Sequence, residues 1–560
     1  MIATNLPKVM KSAMLGITTD EVPAAIRGKM RRQGRRGDHT DMGGPVRWAG
    51  TQTCSYKRKR NVVWPYRESD MPIVPKISRH DKLEGGKGHY LQTRFRRRGA
   101  SLIDERNCNL QEMKKRKDMS DAERLQALQR KLYLLAKQEA KYRFYSMYDK
   151  LTSGYVLREA WLQVKANGGA AGVDGKMIGN VEQEGVEVLL DQIAKELQEE
   201  SYKPQAVKRV MIPKANGKLR PLGIPTVKDR IVQTACKLII EPIFEADFQD
   251  SSHGFRPKRN AAGALEQIKE SLREGRHEIL DADLSSYFDT IPHDKLLVLL
   301  EQRISDMRVI RLITLWLKSP VQEEDGKITG GKSNTKGTPQ GGVISPLLAN
   351  IYLNLIDKIV NDEKKLFSKE GIKIIRYADD FVMMGRRISE EAMGYLKQLL
   401  SRMELTLNEE KTRRINAREE TFQFLGFQIR YDRSIHDHGK FWNIAPSPKS
   451  ISKLKDKIRN ERGKYGMCSG EVIAAKLNSI LKGWLNYFTI PGVSYTKVAR
   501  NDIDYYLRES IWRLYRRKSQ RHSPLYCQQA YQRLRHKYGL VDVRHYGLKV
   551  APVNANGRRL

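Results

Sequence analysis

Two adjacent acids between two apolar runs decide the fold class of this chain. The stretch reads Ile374-Ile375-Arg376-Tyr377-Ala378-Asp379-Asp380-Phe381-Val382-Met383-Met384. Apolar runs on both sides of a short polar break are typical of the two strands of a β-hairpin, which places Asp379 and Asp380 at its tip. Two like charges beside a sheet are unfavourable unless a cation compensates them, and a hard divalent cation such as Mg²⁺ prefers oxygen ligands. A solvated turn is the alternative interpretation of such a pair.

A third acid follows another strand-like run. Residues 277–282 have the composition of a strand and continue into Asp283-Leu284-Ser285-Ser286-Tyr287-Phe288-Asp289. Phosphoryl transfer with two metal ions needs several carboxylates that separate elements bring together. One acid at a strand end and two at a hairpin tip can meet that need, and we predict that the catalytic residues are Asp283, Asp379 and Asp380.

The overall charge predicts a polyanionic partner. Lys and Arg number 102 against 65 Asp and Glu, which gives a formal net charge of +37. Nucleic acid is the leading candidate, because each cationic side chain on a phosphate releases counterions; an anionic membrane surface is the alternative. We expect no membrane partner, since the sequence shows no run of about 18 apolar residues and no apolar core of a signal peptide.

The cysteines and the first residues of the chain indicate the cellular compartment in which the protein works. Five cysteines are scattered without a Cys-x-x-Cys pair, which favours neither a disulfide framework nor a zinc knuckle. We therefore expect a reducing, cytosolic compartment. An organelle is the less favoured location, because Asp20 and Glu21 interrupt the Arg-rich beginning of the chain.

The chain is too long for one core, so several domains are expected. Composition and periodicity divide it into a basic extension, a helical region, an α+β centre, a helical bundle and a basic tail, at residues 1–115, 116–195, 196–432, 445–530 and 531–560. The extension is rich in Arg, Lys and Gly and poor in apolar periodicity. A partly disordered arm and an RNA-contacting arm are both compatible with that composition.

Strand and helix patterns predict the architecture of the central and C-terminal regions. Val207–Pro213 and Leu219–Ile224 have strand patterns around a hairpin turn at Asn216-Gly217, and a helix follows across residues 229–248. Upstream, Ser120 and Glu123 have capping-box spacing. After about residue 447 the strand patterns give way to amphipathic, basic helices. We expect an α+β fold with helices on a mainly antiparallel sheet, followed by an α-helical bundle.

These segments, in this order, resemble the motifs of reverse transcriptases. The stretch after Asp283 resembles motif A, Tyr377-Ala378-Asp379-Asp380 resembles motif C, and residues 337–350 between them resemble motif B. Further matches are the fingers hairpin around Ile212-Pro213-Lys214 and residues 219–225, then His253-Gly254-Phe255-Arg256-Pro257, motif D at residues 407–412 and the primer-grip hairpin at Phe424-Leu425-Gly426-Phe427. So many motifs in the family's order are highly specific.

The resemblance implies a right-hand polymerase with fingers, palm and thumb, and it implies roles for individual residues. Two Mg²⁺ ions would be held by Asp283, the backbone of Leu284, Asp379 and Asp380. The nucleotide would be bound by Lys214, Arg220, Phe288, Gln340 and Lys411. The primer grip would be Phe424, Leu425 and Gly426. For Lys411 a salt bridge to a nearby acid is an equally good alternative. Asp281 is expected to be structural or solvated, and Asp289 is expected to be an acid at the start of a helix.

Two further segments indicate the subfamily. Residues 167–175 are similar to an N-terminal motif of group II intron and non-LTR enzymes, and residues 481–488 are similar to the maturase, or X, domain. The implied RNA-binding residues are Trp484, Tyr487, Arg513, Arg516 and Arg517. For Trp484 an ordinary place in the hydrophobic core is the alternative.

The sequence thus predicts an RNA-directed DNA polymerase encoded by a group II intron, which copies intron RNA into cDNA and promotes splicing as a maturase. The expected partners are intron RNA, an RNA template with DNA primer, deoxynucleotides and target DNA; the oligomeric state stays open. We expect the bacterial type without an H-N-H endonuclease, because the late part of the chain has no paired cysteines. The alternatives are a splicing-only maturase and a domesticated enzyme of defence or repair.

Overall fold

The computed structural model describes residues 119–213, 217, 219–339, 341–434, 438–516, 525 and 529–547. The predicted extension at residues 1–115 lies outside them, as does much of the predicted tail. All the described residues belong to one contact unit, Tyr66–Leu560. Across this described part of the chain, no helix is both long and apolar enough to cross a membrane.

Helices form the first described region. The first of them begins at a capping box, in which the Ser120 hydroxyl accepts a hydrogen bond from the backbone N–H of Glu123 and the Glu123 carboxylate accepts one from the backbone N–H of Ser120. This confirms the start predicted from their spacing. The helices are α1 (Asp121–Gln138), α2 (Tyr148–Leu151), α3 (Gly154–Asn167), α4 (Ile178–Glu184) and α5 (Val186–Gln198).

A hairpin and two helices follow, of which the hairpin and the first helix were predicted. Strands β1 (Val207–Pro213) and β2 (Leu219–Ile224) pair antiparallel and have the predicted bounds. Of the predicted turn between them, Asn216 lies outside the described residues. Helix α6 (Val227–Glu245) is buried along nearly its whole length, which makes it central to the larger core, and α7 (Ala261–Arg273) comes after it.

The elements of the central region are β3 (Glu278–Ala282), α8 (Tyr287–Thr290), α9 (His293–Glu301), α10 (Met307–Leu317), β4 (Pro320–Gln322), β5 (Ile328–Gly330), α11 (Ser345–Val360), α12 (Leu366–Lys369), β6 (Lys373–Tyr377), β7 (Asp380–Gly385), α13 (Glu390–Arg402) and β8 (Arg413–Asn416). The palm is built on a four-stranded antiparallel sheet with the order β6-β7-β3-β8. In the fingers sheet, which has the order β2-β1-β4-β5, strand β4 pairs with β1 in parallel, a local departure from the predicted antiparallel pairing.

The C-terminal region changes from strands to helices near residue 447, which confirms the predicted order. Its elements are β9 (Phe422–Phe424), β10 (Phe427–Arg433), β11 (Lys440–Pro446), α14 (Pro448–Tyr465), α15 (Gly470–Phe488), α16 (Lys497–Arg516) and α17 (Ala530–His536). The three strands form a small sheet with the order β11-β10-β9, and the helices follow it.

The palm sheet lies between two buried cores. Phe381 and Met383 of β7 face the core that contains α6 and α11, whereas Val382 and Met384 face the core shared with the C-terminal helices. Because side chains alternate along a strand and both faces are covered, the strand is apolar throughout. This accounts for the unbroken apolar runs on either side of the two acids.

Candidate active site

The two adjacent acids lie at the tip of the β6–β7 hairpin. Tyr377 pairs with Asp380, so Ala378 and Asp379 form a two-residue turn; we call Tyr377-Ala378-Asp379-Asp380 the acidic turn. Ala378 has a φ of +60°, a left-handed conformation that costs an alanine about 1 kcal/mol. The structure therefore places Asp379 in the turn and Asp380 at the start of β7, as the sequence pattern predicted.

Asp283 reaches the same edge of the sheet from the neighbouring strand. Strand β3 lies beside β7, and the last residue pair between them is Ala282 with Phe381. In this antiparallel register the next residue along β3, Asp283, follows at the level of Asp380. Three acids from two chain segments thus converge at one edge of the palm.

The backbone after Asp283 is held against the segment that precedes β8. The N–H of Asn408 donates to the carbonyl of Asp283 at 2.8 Å, and the N–H of Ser285 donates to the carbonyl of Thr406 at 3.0 Å. Neither bond uses the carbonyl of Leu284, the predicted backbone ligand. The flanking hydrogen bonds fix Leu284 in place without occupying that oxygen.

Burial and neighbouring negative charges raise the pKa of Asp379 and Asp380. Burial is the main cause of the raised pKa of Asp379; the charge of Asp283 adds to it, while Arg220 and Arg376 oppose it. The Asp380 side chain is exposed on one side, yet the surrounding protein atoms, followed by the carboxylates of Asp379 and Asp283, raise its pKa to about 7. The three predicted acids therefore form one electrostatically coupled cluster, which we call the acid cluster.

A fourth acid belongs to this acid cluster. Burial first, and then the charge of Asp283, raise the pKa of Asp281 to about 6, against the opposing charge of Arg413. The sequence prediction set Asp281 aside as structural or solvated. Residues two apart on a strand share one face, and this periodicity is the signal that groups Asp281 with Asp283.

The acid cluster fits a divalent cation by its chemistry. The negative charges of these carboxylates repel one another, and a hard cation with oxygen ligands would relieve that repulsion. Within the described ranges, however, no group of three His, Cys, Asp or Glu side chains is arranged to hold a metal ion. Asp283 instead accepts a hydrogen bond from Lys411 Nζ at 2.8 Å. Lys411 thus occupies the Oδ2 atom of Asp283, and a metal ion could bind that oxygen only after Lys411 leaves it.

The raised pKa values predict how the stability of the folded chain depends on pH, and how Mg²⁺ is expected to change that dependence. Asp380, with a pKa of about 7, and Asp281, with a pKa of about 6, hold protons in the folded state at a pH where the unfolded chain has lost them. Without metal, their contribution to the free energy of unfolding therefore falls as the pH rises from about 4 to about 7. We expect Mg²⁺ to raise Tm more at pH 8 than at pH 6. An equal rise at both pH values, measured by thermal unfolding, would contradict this.

The structure describes three of the predicted nucleotide-binding residues. Arg220, on β2, lies near enough for its charge to lower the pKa of Asp379. Phe288 is half-buried against the larger core. Lys411 forms the ion pair that the sequence left open as its alternative role. The remaining two predicted residues lie outside the described residues: Lys214 and Gln340.

The loop before α11 packs on the fingers strand that carries Arg220. Gly341 has a φ of +108°, and a Cβ atom added to it would lie 2.2 Å from the carbonyl oxygen of Gly223. Both the conformation and the lack of space require glycine there. The contact brings the loop predicted as motif B against the hairpin predicted as fingers.

The predicted primer grip is a tight turn tied to a thumb helix. Phe424 pairs with Phe427, and the two turn residues, Leu425 and Gly426, have φ of +51° and +79°. Positive φ at both positions suits the twist of a two-residue hairpin. The hydroxyl of Tyr487, on α15, donates to the carbonyl of Leu425 at 3.0 Å. Tyr487, predicted to bind RNA, therefore also supports the primer grip.

The other predicted RNA-binding residues are partly buried and partly exposed. Trp484 is only 9% exposed, and its ring centroid lies 4.6 Å from that of Phe488. The ring thus takes the place in the hydrophobic core that the sequence left open as its alternative, and its RNA-binding role stays a prediction. Arg513 and Arg516 are exposed near the end of α16, and Arg517 lies outside the described residues.

A palm sheet with acids at one edge, a fingers hairpin whose arginine acts on one of them, and a helical thumb define a right-hand polymerase of the reverse transcriptase class. Two family models match the chain. Residues 212–429 match the reverse transcriptase (RNA-dependent DNA polymerase) model, and residues 451–537 match the group II intron, maturase-specific domain. The first domain makes the chain an RNA-directed DNA polymerase, a nucleotidyltransferase.

Similarity to individual proteins shows which family of reverse transcriptases the chain belongs to. The chain is 34% identical over 380 residues to Protein YkfC of Escherichia coli strain K12, which covers 59% of this chain and 97% of YkfC. It is 32% identical over 335 residues to group II intron-encoded protein LtrA of Lactococcus lactis subsp. cremoris, which covers 48% of this chain and 55% of LtrA. The chain belongs to the family of group II intron-encoded reverse transcriptases with a maturase domain. It spans nearly all of YkfC but only about half of LtrA.

Proposed function

We propose that this chain copies RNA into DNA through two Mg²⁺ ions, and that it binds group II intron RNA as a maturase. The observation that carries the proposal is the acid cluster, in which Asp283, Asp379 and Asp380 meet at one palm edge and in which burial and neighbouring negative charges raise the pKa of Asp379 and Asp380. Strongly perturbed acids beside cationic side chains are typical of catalytic sites. A splicing-only scaffold has no need of them. We also propose that target DNA is a partner and that the protein works in a bacterial cytoplasm.

The carboxylates and Lys411 have different roles in the proposed reaction. Asp283 and Asp379 would hold the ions, with Asp380 as a less tightly engaged acid. Metal binding there would supply activation of the primer 3′ hydroxyl and stabilisation of the leaving pyrophosphate. Lys411, once it leaves Asp283, has an ammonium group that can neutralise the pyrophosphate or give it a proton.

Two further residues would bind the incoming nucleotide. Arg220 acts on Asp379 across the site, and its forked guanidinium suits the oxygens of a triphosphate. The half-buried ring of Phe288 would lie under the sugar and exclude a 2′ hydroxyl, which favours deoxynucleotides. The backbone of Phe288 is fixed by a 2.7 Å hydrogen bond from the N–H of Thr338 to its carbonyl.

Primer extension and splicing assays on the same preparation test the proposal. We expect cDNA from an RNA template with Mg²⁺ and deoxynucleotides, no cDNA with EDTA, and faster splicing of the cognate intron RNA. A protein that promotes splicing but makes no cDNA would be a splicing-only maturase. A protein that makes cDNA but does not bind intron RNA would fit a domesticated enzyme of defence or repair.

Intron RNA binding is expected to weaken as salt rises. The formal net charge is +37, and each phosphate that a Lys or Arg neutralises adds to the slope of log affinity against log salt. We expect the affinity to fall at least about tenfold between 50 and 200 mM KCl. Filter binding at several salt concentrations measures this slope. A flat response would show that the basic surface does not contact the RNA backbone.

A further inference from the structure

Arg376 is a fully buried arginine directly beneath the acidic turn. Its guanidinium donates to both carboxylate oxygens of Asp357, with distances of 2.5–3.0 Å, and to Asn350 Oδ1 at 2.8 Å. It also donates to the carbonyl oxygen of Ala378, in the acidic turn, at 2.8 Å. One side chain thus joins helix α11, which supplies Asn350 and Asp357, to the turn that carries Asp379.

The backbone of Arg376 extends this network to a third segment. The N–H of Arg376 donates to the carbonyl of Ser251 at 2.8 Å, and the N–H of His253 donates to the carbonyl of Arg376 at 2.9 Å. Asn350 Nδ2 donates to the carbonyl of Gly254, also at 2.8 Å. The loop predicted as a family motif at residues 253–257 is therefore fixed to the same arginine.

Stability alone is a poor explanation for this buried ion pair. Both partners are almost wholly removed from water, and the desolvation of two charges commonly exceeds the attraction that they gain. What the pair supplies is geometry, because a forked donor with several fixed acceptors has one orientation. The acceptor in the turn is the carbonyl of Ala378, whose left-handed backbone persists only when its surroundings hold it.

We propose that Arg376 is a positioning residue for the polymerase reaction: it fixes the Ala378 carbonyl to helix α11 and thereby sets where Asp379 stands relative to Asp283. The inference rests on the proposed polymerase function and deepens it. Arg376 touches no substrate. It acts through the backbone of the turn, and its positive charge also favours the ionised form of Asp379.

Arg376→Lys is the first test, because lysine keeps the positive charge but cannot span the three acceptors. A displaced turn lowers the rate constant of single-turnover primer extension without loosening the nucleotide site. We expect that rate constant to fall at least about tenfold, with KM for deoxynucleotides within about threefold of wild type. Asn350→Ala leaves the Arg376–Asp357 pair intact, so it provides a milder second variant if Arg376→Lys does not fold.

Mn²⁺ gives a readout that does not depend on activity. We expect the protein with bound template and primer to need about tenfold more Mn²⁺ for half-saturation after Arg376→Lys, as counted from the EPR signal of free Mn²⁺. If the wild type makes no cDNA, the proposed polymerase function fails, and Mn²⁺ affinity alone then decides the positioning role. Unchanged Mn²⁺ affinity in a folded variant overturns the inference.

Arg303→Lys is the matched control. Arg303 is also buried, ion-paired with Asp247 at 3.1 Å, and bonded to backbone carbonyls that include Ala136 and Ala140 at the end of the first helix. The Arg303→Lys variant should have a lowered Tm, as Arg376→Lys does, but an unchanged rate constant of primer extension per folded molecule. If both variants lose rate only in proportion to their unfolded fraction, Arg376 is merely structural and the proposal is overturned.

Discussion

Replacing Asp379 by asparagine is expected to lower the rate of cDNA synthesis at least about 10³-fold, because loss of one metal-ligating charge removes several kcal/mol of transition-state stabilisation. The asparagine would keep the volume of the side chain and one of its oxygens. The turn around it is set by backbone contacts, among them the Ala378 carbonyl bonded to Arg376, so the fold should persist. Burst kinetics of primer extension on an RNA template measure the loss.

The same variant separates the two proposed activities. Asp379 belongs to the palm edge, whereas the exposed arginines Arg513 and Arg516 belong to α16 in the thumb. Intron RNA binding and splicing should therefore be unchanged by Asp379→Asn. Asp325→Asn, at the exposed tip of the β4–β5 hairpin, is the control and should leave cDNA synthesis at the wild-type rate. Synthesis within tenfold of wild type in Asp379→Asn would refute the role of Asp379.

The parts of the fold that were predictable are those that local chemistry specifies. Ser120 and Glu123 define a helix start because each caps the other's backbone N–H. The bounds of β1 and β2 follow from apolar alternation around a turn. The edge position of Asp379 and Asp380 follows from two apolar runs, since a strand covered on both faces has no other polar break.

The position of Trp484 in the thumb follows from helical spacing rather than from local composition. Trp484 stands three and four residues from Leu481 and Phe488, and this helical spacing places all three on the buried face of α15. Tyr487 falls off that face and is partly exposed. Helical periodicity therefore already favoured the core position of Trp484 over a surface position.

Contacts between distant segments were beyond sequence reasoning. Nothing in the residues near Asp357 indicates that its carboxylate meets Arg376 on another element, because that pairing depends on how α11 crosses the palm sheet. The bond from Tyr487 to the primer-grip turn is of the same kind. The parallel pairing of β1 with β4 also depends on a long connection rather than on strand composition.

Gly254→Ala is expected to lower the rate of cDNA synthesis by about 10²-fold, because it displaces the acidic turn. A displacement of reacting groups by about 1 Å lowers a rate by about that factor. Gly254 is buried against that turn. A Cβ atom added to it would lie 2.3 Å from the backbone nitrogen of Ala378 and 2.9 Å from the carbonyl carbon of Tyr377. Both neighbours are backbone atoms, so the turn itself must shift and carry Asp379 away from Asp283. Primer extension and thermal unfolding, measured together, report the effect.

The control for this substitution is another glycine with free space. No heavy atom lies within 4 Å of a Cβ atom built on Gly394, which is exposed on α13, so Gly394→Ala should leave the rate unchanged and stabilise the protein by about 0.5–1 kcal/mol. Gly254→Ala should instead cost about 1–3 kcal/mol of stability through overpacking. The Gly254→Ala variant keeps the Arg376 side chain with all its hydrogen-bond donors. A variant that is destabilised by that amount yet extends primers at the wild-type rate would show that the acidic turn tolerates displacement, and that Gly254 serves packing alone.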